Sequence, residues 1–303
     1  MQATILTGRN NIFTAVAADA VYLCRLRGKT LELDERSYNP LAPGDEVELA
    51  AMDPTHRTAI IERRLPRRTA FGRYNRKRDA VQTLAANIDA VLVVASVEDP
   101  PFRDQFVDRA LALAEFYGLS GIIAVSKADL APERAAELCD RYRLIGYAGL
   151  VTRADEGSSL DNLRRELAGR RTVLDGQSGV GKSTVLNALS GAAERTGAIS
   201  ARHRTGRHTT NAAVLVRTAG LEIVDTPGIR EIDCRHVPAG MVEHLYRELR
   251  RYHGRCTLVD CLHTDEPGCA VREAAESGGI DAERYRSYLR LYRELAETQG
   301  EHQ

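Results

Sequence analysis

Short apolar stretches separated by turn-forming residues occupy the N-terminal part of the chain, from Met1 to about Arg68. Gly, Pro, Asn and Asp lie between these stretches, and such residues favour turns because they tolerate or pre-set the backbone angles of a turn. Several short strands with turns between them are typical of a small β-barrel. The pattern therefore predicts five barrel strands, at residues 3–6, 12–17, 21–26, 47–50 and 58–61.

From residue 81 the pattern changes to apolar runs that alternate with amphipathic stretches. Continuous apolar runs predict buried strands, and an apolar repeat of three or four residues predicts helices. Strands that alternate with helices indicate a mostly parallel sheet, with ligands bound at the carboxyl ends of the strands. The predicted strands are 89–96, 121–125, 149–152, 170–175, 213–216 and 221–224, and the predicted helices are 104–117, 131–142 and 182–189.

Two further helical patterns, at 241–252 and 281–297, lie in the last part of the chain. Asp281 is suited to cap the second helix, because its carboxylate can accept a backbone N–H of the first turn. Tyr285, Tyr288 and Tyr292 recur along this helix at helical spacing. The tyrosines either pack against a core or stack on nucleic-acid bases, and the helical period favours packing.

The composition narrows the class of protein. The chain has 303 residues, of which 28% are charged and 43% hydrophobic, and it contains no apolar run long enough to cross a bilayer. These values predict a multidomain globular protein without a membrane span. The first residues lack the charged and long apolar regions of a secretory signal, so a cytoplasmic location is expected. Because the formal net charge is zero, any contact with nucleic acid must depend on local clusters of basic residues.

One such cluster follows the predicted barrel. Residues 57–78 contain nine basic residues and one acidic residue, Glu62, with Phe71 and Tyr74 between them. The composition is typical of a nucleic-acid-binding surface, and it is equally typical of a solvated basic linker between domains. The sequence leaves both interpretations open.

A complete phosphate-loop motif, G-x-x-x-x-G-K-[ST], lies at residues 176–183, between a predicted strand and a predicted helix whose expected stop is Gly191. Glycines allow successive backbone N–H groups to converge on the α- and β-phosphates, and the helix N-terminus adds partial positive charge. Lys182 is expected to reach the β- and γ-phosphates, and Ser183 to bind Mg²⁺. The alternative is a Gly-rich turn without a ligand, and the strand-loop-helix order argues against it. The residues expected to contact the nucleotide here are Gly176, Gln177, Ser178, Gly179, Val180, Gly181, Lys182, Ser183 and Thr184.

Asp225 ends the last predicted strand and opens the sequence Asp-Thr-Pro-Gly, which finishes at Gly228. A P-loop protein holds Mg²⁺ through an acidic residue at this position, and the glycine N–H can meet the γ-phosphate. A polar segment at 202–210 lies between the phosphate loop and this strand. We expect this segment to be a switch in which Thr209 or Thr210 binds Mg²⁺.

The motif that reads the base lies upstream of the phosphate loop. In an ordinary GTPase an N-K-x-D sequence follows the phosphate loop, but this chain has no lysine after Lys182. The remaining candidate is Ser126-Lys127-Ala128-Asp129, which follows an apolar strand. A Lys and an Asp at this spacing are common on protein surfaces, so the motif gains weight only beside the other two. The order of the three motifs predicts a circularly permuted GTPase.

Three of the six cysteines are scattered singly along the chain, and the other three form a cluster. Cys256, Cys261 and Cys269 form, with His263, the pattern C-x₄-C-x-H-x₅-C in the short segment 256–269. Three thiolates and one imidazole suit a closed, tetrahedral, structural Zn²⁺ site. The alternative is three buried thiols beside an unrelated histidine. GTP binding is expected to survive loss of the zinc, because the sheet and the phosphate loop would form a separate core.

Together these motifs resemble the ribosome-small-subunit-dependent GTPase A family, a group of circularly permuted bacterial GTPases. The resemblance spans nearly the whole chain and includes Ala-Asn-Ile-Asp at 86–89, Gly-Arg-His-Thr-Thr at 206–210, and Arg284 with Tyr285 and Tyr288. It implies an OB-fold RNA-binding domain at 1–70, a permuted GTPase domain at 71–233 and a zinc-binding helical domain at 234–303. It also implies GTP or GDP with Mg²⁺ as ligands, one structural Zn²⁺, and a role in late maturation of the small (30S) ribosomal subunit, with 16S rRNA as a partner.

The chain departs from the family pattern at the base site. Ser126 stands where the family has an Asn that contacts the base and braces the phosphate loop, and Thr152 replaces a Ser expected at the base edge.

Ile229 directly follows Gly228, where many GTPases have a Gln that orients the attacking water. Intrinsic hydrolysis is therefore expected to be slow. His208 is our candidate for the water-orienting residue, and the alternative is a solvated loop histidine.

The interpretation that the sequence favours is a monomeric GTP hydrolase that the small ribosomal subunit stimulates. The alternatives are a GTP-regulated RNA-binding module with incidental hydrolysis and a metabolic P-loop kinase. The base-reading motif, the D-T-P-G switch and the lack of an evident domain for an acceptor substrate argue against the kinase.

Overall fold

The computed structural model describes residues 1–9, 11–27, 39–153, 156–190, 212–218, 220–227 and 232–300. Within these residues the N-terminal part forms a closed barrel of five strands in the order β1-β2-β3-β5-β4. Strands β3 and β5 pair in parallel, whereas the other barrel pairs are antiparallel, which is an OB-fold arrangement. The strands are β1 (Gln2–Arg9), β2 (Ile12–Ala17), β3 (Ala20–Leu26), β4 (Glu46–Asp53) and β5 (Thr58–Arg64).

The barrel has an apolar core of its own. Alternate residues of each strand point inward, as in β2, where Phe13 and Ala15 are buried and Thr14 is partly exposed. Ile5, Ile61 and Cys24 complete the centre of this cluster and are fully buried. The period-two pattern that predicted the strands therefore also fixes which face lies inside.

A hairpin follows the barrel, with strands β6 (Ala70–Asn75) and β7 (Ala80–Ala86). The interpretation of residues 57–78 as a solvated linker is therefore wrong, because these residues include the whole of β5 and β6, one arm of the hairpin. Several of the basic side chains are paired with carboxylates, so their positive charges are compensated within the folded structure. The pairs are Arg63 with Glu48, Arg67 with the buried Asp45, Arg68 with Asp89, and Arg76 with Asp233.

The central sheet has six strands in the described residues, in the order β10-β9-β8-β11-β13-β12. All neighbours pair in parallel except β12, which runs antiparallel to β13. Every residue of β8 is buried, as expected for a strand covered by helices on both faces. The strands are β8 (Ala90–Ser96), β9 (Ser120–Ser126), β10 (Ala148–Val151), β11 (Arg171–Asp175), β12 (Val214–Thr218) and β13 (Leu221–Asp225).

Among the described residues, four helices cover this sheet: α1 (Asp104–Phe116), α2 (Pro132–Leu144), α3 (Gly157–Leu167) and α4 (Lys182–Ser190). The pattern analysis missed α3, which is short and buries only the leucines at 160, 163 and 167 with Ser159. Helices α3 and α4 pack with Leu92 and Val94 in one apolar cluster. Helices α1 and α2 pack with Val91 and Val93 in another, on the opposite face. The stop expected at Gly191 lies outside the described residues.

The C-terminal region is helical but differs from the prediction. The single helix expected at 241–252 is instead a 3₁₀ turn (Ala239–Met241), a short helix α5 (Val242–Leu245) and a second 3₁₀ turn (Leu249–Tyr252). Tyr246 interrupts it in an extended conformation, because its ring is fully buried against Tyr288. Helices α6 (Ala270–Glu276), which was not predicted, and α7 (Ala282–Gly300) follow. The Asp281 carboxylate accepts the Arg284 N–H at 3.0 Å and so caps α7.

This region shares its core with the α/β unit. Residues of α1, α2, α6 and α7 belong to one apolar cluster. Arg284 of α7 is buried and pairs with Asp108 of α1 at 2.7 Å and with Glu248 at 2.6 Å. The expectation of a separate core for the sheet is therefore confirmed only for the face beneath α3 and α4.

Candidate nucleotide and metal sites

The phosphate loop connects β11 to α4 at the carboxyl edge of the parallel sheet. Gly176 lies so close to β8 that a Cβ atom there would approach the Val94 carbonyl oxygen to 2.4 Å. Gly181 has φ +90°, a conformation that other residues rarely adopt. The loop conformation therefore requires glycine at both motif positions, and the side chains of Ser178, Ser183 and Thr184 are exposed around it.

Lys182 begins α4, and its ammonium group folds back over the loop. Its Nζ donates to the Gly176 carbonyl at 2.5 Å and to the Gln177 carbonyl at 2.7 Å. Burial lowers the pKa of Lys182, while the carboxylates of Asp175 and Asp225 act in the opposite direction. The lysine is thus held at the loop by two carbonyl oxygens that an incoming phosphate can replace.

Asp175 is a residue of this site that the motif analysis did not single out. Its carboxylate is fully buried and accepts the Gly176 N–H at 2.7 Å, and burial raises its pKa. Arg73 of the hairpin lies near this carboxylate, and burial lowers the pKa of the guanidinium. Arg73 and Pro227 also line a cavity of about 480 Å³ between the barrel and the sheet. The sequence signal for Asp175 is only its position directly before the first glycine.

Asp225 lies at the end of β13, the neighbour of β11, and is buried. The next residue, Thr226, connects this end to β11, since its Oγ1 donates to the Leu174 carbonyl at 2.8 Å. The acidic residue predicted to bind Mg²⁺ therefore lies beside the strand that carries the phosphate loop. His208, Thr209, Thr210, Gly228 and Ile229 lie outside the described residues.

Ser126 connects the upstream motif to the phosphate loop. Strand β9 is separated from β11 by β8, yet Ser126 Oγ donates to the Val180 carbonyl of the loop at 2.6 Å. Lys127, with φ +54°, donates to the Asp99 carbonyl, and Asp129 is exposed. Thr152 is buried beside the same strand end, where its N–H donates to the Val125 carbonyl at 2.8 Å. The structure thus brings the two motifs together although a helix–strand–helix segment separates them in the chain.

The cysteine cluster brings all four predicted ligands together. The ligand atoms of Cys256, Cys261, His263 and Cys269 lie within 4.8 Å of one another. His263 Nδ1 lies 3.5 Å from Cys256 Sγ and 3.6 Å from Cys269 Sγ. Burial raises the pKa of the Cys261 thiol to about 12, and a bound cation would favour its thiolate form. The donor set fits a tetrahedral Zn²⁺ ion, with no fourth position left open for catalysis.

Surrounding groups fix the shape of this cluster. The Glu266 carboxylate accepts the N–H groups of Leu262 and Thr264, each at 2.8 Å. Tyr285 of α7 donates its hydroxyl to the His263 carbonyl at 2.9 Å, and Tyr288 donates to the Leu262 carbonyl. The tyrosine stripe therefore packs on the cluster, as the helical period predicted.

A second group of ligating side chains, which the cysteine spacing did not include, lies beside this cluster. The ligand atoms of Glu243, His244 and His253 also lie within 4.8 Å of one another.

Among the described residues, no helix is both long and apolar enough to cross a membrane.

Comparisons with known proteins agree with this geometry. A model of the RsgA GTPase family matches residues 64–235. The small ribosomal subunit biogenesis GTPase RsgA of Moorella thermoacetica is 37% identical over 297 residues, which cover 97% of each chain. The protein of the same name from Chlorobaculum tepidum is 39% identical over 284 residues, which cover 90% of this chain and 91% of that protein.

Two solved structures are similar over nearly the whole chain. The crystal structure of YjeQ from Thermotoga maritima superposes with a TM-score of 0.75 at 28% identity, covering 97% of this chain and 98% of that one. YloQ, described as a circularly permuted GTPase, gives a TM-score of 0.72 at 25% identity, covering 98% of this chain and 95% of that one. The predicted fold class, with its permuted order of motifs, is confirmed. On the family model, the full-length relatives and the shared fold, the chain belongs to the RsgA GTPase family.

Proposed function

We propose that this chain hydrolyses GTP to GDP and phosphate, binds the small ribosomal subunit, assists its late maturation and is stimulated by that subunit. The observation that carries the nucleotide part is the contact between Ser126 Oγ and the Val180 carbonyl at 2.6 Å. It joins a base-reading motif to a phosphate loop that follows it in the chain. The names of the relatives from Moorella thermoacetica and Chlorobaculum tepidum support the ribosomal part.

In this proposal Asp129 selects guanine. Its carboxylate accepts from both N1–H and the 2-amino group of guanine, and adenine presents neither donor. A carboxylate left unpaired against a wrong base costs free energy, which is the physical source of the selectivity. Lys127 belongs to the same base-reading motif, and Ser126 joins that motif to the phosphate loop through the Val180 carbonyl.

The phosphates lie on the loop between Gly176 and Gly181, where backbone N–H groups and the N-terminus of α4 favour negative charge. Lys182 exchanges its two carbonyl partners for the β- and γ-phosphate oxygens. Ser183, Asp225 and Thr209 would hold Mg²⁺, which would neutralise the charge that develops on the phosphates. The other residues of the loop, Gln177, Ser178, Gly179, Val180 and Thr184, surround the same phosphates.

Hydrolysis requires a water molecule in line with the bond between the γ-phosphorus and the bridging oxygen. The water oxygen bonds to phosphorus, the bridging bond breaks with its electrons on GDP, and the water proton passes to the released phosphate. Ile229 has no donor or acceptor to orient this water, so hydrolysis by the isolated protein is slow. We propose that His208 orients the water when the small subunit is bound, and that Gly228 offers its N–H to the γ-phosphate.

The zinc part of the proposal concerns stability and not catalysis. Cys256, Cys261, His263 and Cys269 hold one structural Zn²⁺, whose contribution is to cross-link the loop between the second 3₁₀ turn and α6. The closed ligand set supports this role, because a catalytic zinc keeps one position for water or substrate.

The basic stretch at 57–78 supplies contacts to rRNA phosphates in this proposal. The logarithm of the association constant then falls linearly with the logarithm of salt concentration, by about 0.7 to 0.9 for each phosphate neutralised. At least four of the nine basic residues already face carboxylates, namely Arg63, Arg67, Arg68 and Arg76. The slope should therefore be clearly smaller than nine phosphate contacts would give.

The test is multiple-turnover GTP hydrolysis by the purified protein with added small subunits. We expect stimulation of about ten-fold or more, where partner proteins of other GTPases achieve about 10³- to 10⁵-fold. Large subunits serve as the control and should leave the rate unchanged, and His208→Ala should reduce the stimulated rate more than the basal rate. If small subunits bind at low salt and the rate does not change, the subunit is not the activator and the proposal fails.

A further inference from the structure

We infer that Glu243 is a positioning residue for the metal ligand His263. Its carboxylate faces the imidazole nitrogen Nε2 and is not one of the four ligands. Glu243 lies on α5, which precedes the whole cysteine segment in the chain. Its Oε2 atom lies 2.9 Å from His263 Nε2. This inference rests on the metal site of the proposed function.

The orientation of the ring decides which nitrogen serves which role. His263 Nδ1 faces two thiols, 3.5 Å from Cys256 Sγ and 3.6 Å from Cys269 Sγ. Nε2 therefore points away from the thiols, toward Glu243. The residue is 3% exposed, and among the described residues Nε2 has no aligned hydrogen bond.

A histidine ligates a metal as neutral imidazole, so ligation through Nδ1 places the remaining proton on Nε2. A buried N–H needs an acceptor, because an unsatisfied polar group away from water costs free energy. A carboxylate meets this need, fixes the tautomer and makes the ligating nitrogen more basic. Glu243 is near enough for this role, and a small rotation of its side chain would align the hydrogen bond.

The competing interpretation is that Glu243 is itself a ligand, in a second metal site with His244 and His253. Their ligand atoms lie within 4.8 Å of one another, as those of the four-ligand cluster do, so this spacing alone does not decide between the roles. Glu243 Oε1 lies 3.5 Å from His244 Nε2, and Oε2 lies 3.9 Å from His253 Nε2. The contact of Oε2 with His263 is shorter than both, which favours the positioning role.

The experiment measures zinc in the full-length chain, by stoichiometry and by competition with a chelator of known affinity. Glu243→Ala should retain one zinc per chain and weaken its affinity by about 10- to 100-fold, as loss of an outer-shell carboxylate does at other zinc sites. Glu243→Gln should fall between Glu243→Ala and the unaltered protein, because its amide oxygen still accepts the N–H but carries no charge. His244→Ala, on the same short helix, is the matched control and should leave the affinity unchanged.

A second measurement separates positioning from general loosening of the fold. Long-range ¹H–¹⁵N correlation of histidine-labelled protein should show one ring protonated at Nε2 and metal-bound at Nδ1, absent in His263→Gln and altered in Glu243→Ala. One zinc with the same affinity in Glu243→Ala would overturn the inference and leave the metal site intact. Two zinc ions per chain, with one lost in both Glu243→Ala and His244→Ala, would make Glu243 a ligand and overturn it as well. No zinc in the unaltered protein would remove the metal site and the inference together.

Discussion

The two candidate sites are built by the chain in different ways. The metal cluster uses four side chains from the single short segment 256–269. The nucleotide site combines residues at 126–129, 176–184 and 225, which meet only because β9, β8, β11 and β13 lie side by side. A site made from one short segment can be inferred from spacing, whereas a site made from several strand ends requires the order of the strands.

The two sites also differ in what holds them. The phosphate loop lies between a buried strand and α4, whose apolar face packs on the sheet. The cysteine segment contributes its cysteines to an apolar cluster, but its large apolar residues Leu258, Val259 and Leu262 are exposed. The loop should therefore keep its shape without a ligand, and the cysteine segment should depend on its metal. The following predictions test this difference, from the largest expected effect to the smallest.

Loss of a metal ligand should have the largest effect. Cys261→Ser should lose the zinc and, with it, about 10 kcal/mol or more of the free energy that folds the segment 256–269. GTP affinity should persist, because the face of the sheet beneath α3 and α4 packs separately. Metal analysis, a nucleotide-binding titration and limited proteolysis of the segment together measure the effect.

Cys24→Ala is the control, since Cys24 is fully buried in the barrel and outside the cluster. It should retain one zinc per chain. A freshly purified protein without zinc, or a Cys261→Ser variant that retains it fully, would disprove the metal site.

Asp129→Asn should change the base preference. Xanthine offers a carbonyl where guanine has its amine, so the amide of Asn matches xanthosine nucleotides and rejects GTP. Discrimination by a site built on paired hydrogen bonds reaches about 10⁴. Competition titrations with GTP and XTP measure the change, and Asp140→Asn on the exposed side of α2 is the control. Unchanged GTP affinity in Asp129→Asn would end the assignment of this residue.

Arg284→Met tests whether the C-terminal region and the α/β unit unfold as one cooperative unit. The change leaves the carboxylates of Asp108 and Glu248 buried without their cation, which typically costs about 3–5 kcal/mol. Denaturant unfolding should show this loss in the transition of the whole α/β unit, because both regions share an apolar cluster. Arg286→Ala, exposed on the same helix, should change stability by less than about 0.5 kcal/mol. A loss confined to the C-terminal helices would mean that the regions unfold independently.

Ser126→Asn should have the smallest effect. Ser126 already holds the phosphate loop through the Val180 carbonyl, so the longer amide adds only a contact to the base. One further hydrogen bond contributes about 1 kcal/mol, or roughly five-fold in GDP affinity. Ser120→Asn, at the opposite end of β9, is the control and should bind GDP like the unaltered protein. Equal GDP affinities for the two variants would place Ser126 outside the base site.

Local patterns were sufficient for most elements. The strands of the barrel and of the sheet, and helices α1, α2, α4 and α7, lie close to their predicted positions, because period-two and period-3.6 patterns are properties of a short segment. The hairpin β6–β7 was missed because its basic residues resemble a linker, and the carboxylate partner of Arg76, Asp233, lies elsewhere in the chain. The break at Tyr246 was missed because the partner of its ring, Tyr288, lies on the last helix.

The sequence by itself determined the phosphate-loop motif, the candidate metal ligands and the permuted order of the motifs, because each is recorded in residue types at fixed local spacing. Only the tertiary structure decided that Ser126 braces the loop, that Asp175 lies buried beneath it, and that Glu243 faces His263. The contacts of Ser126 and Glu243 join residues that are distant in the chain, and the burial of Asp175 depends on the elements packed around it. Their distances depend on how the sheet and the C-terminal helices pack, and a pattern along the chain does not contain that information.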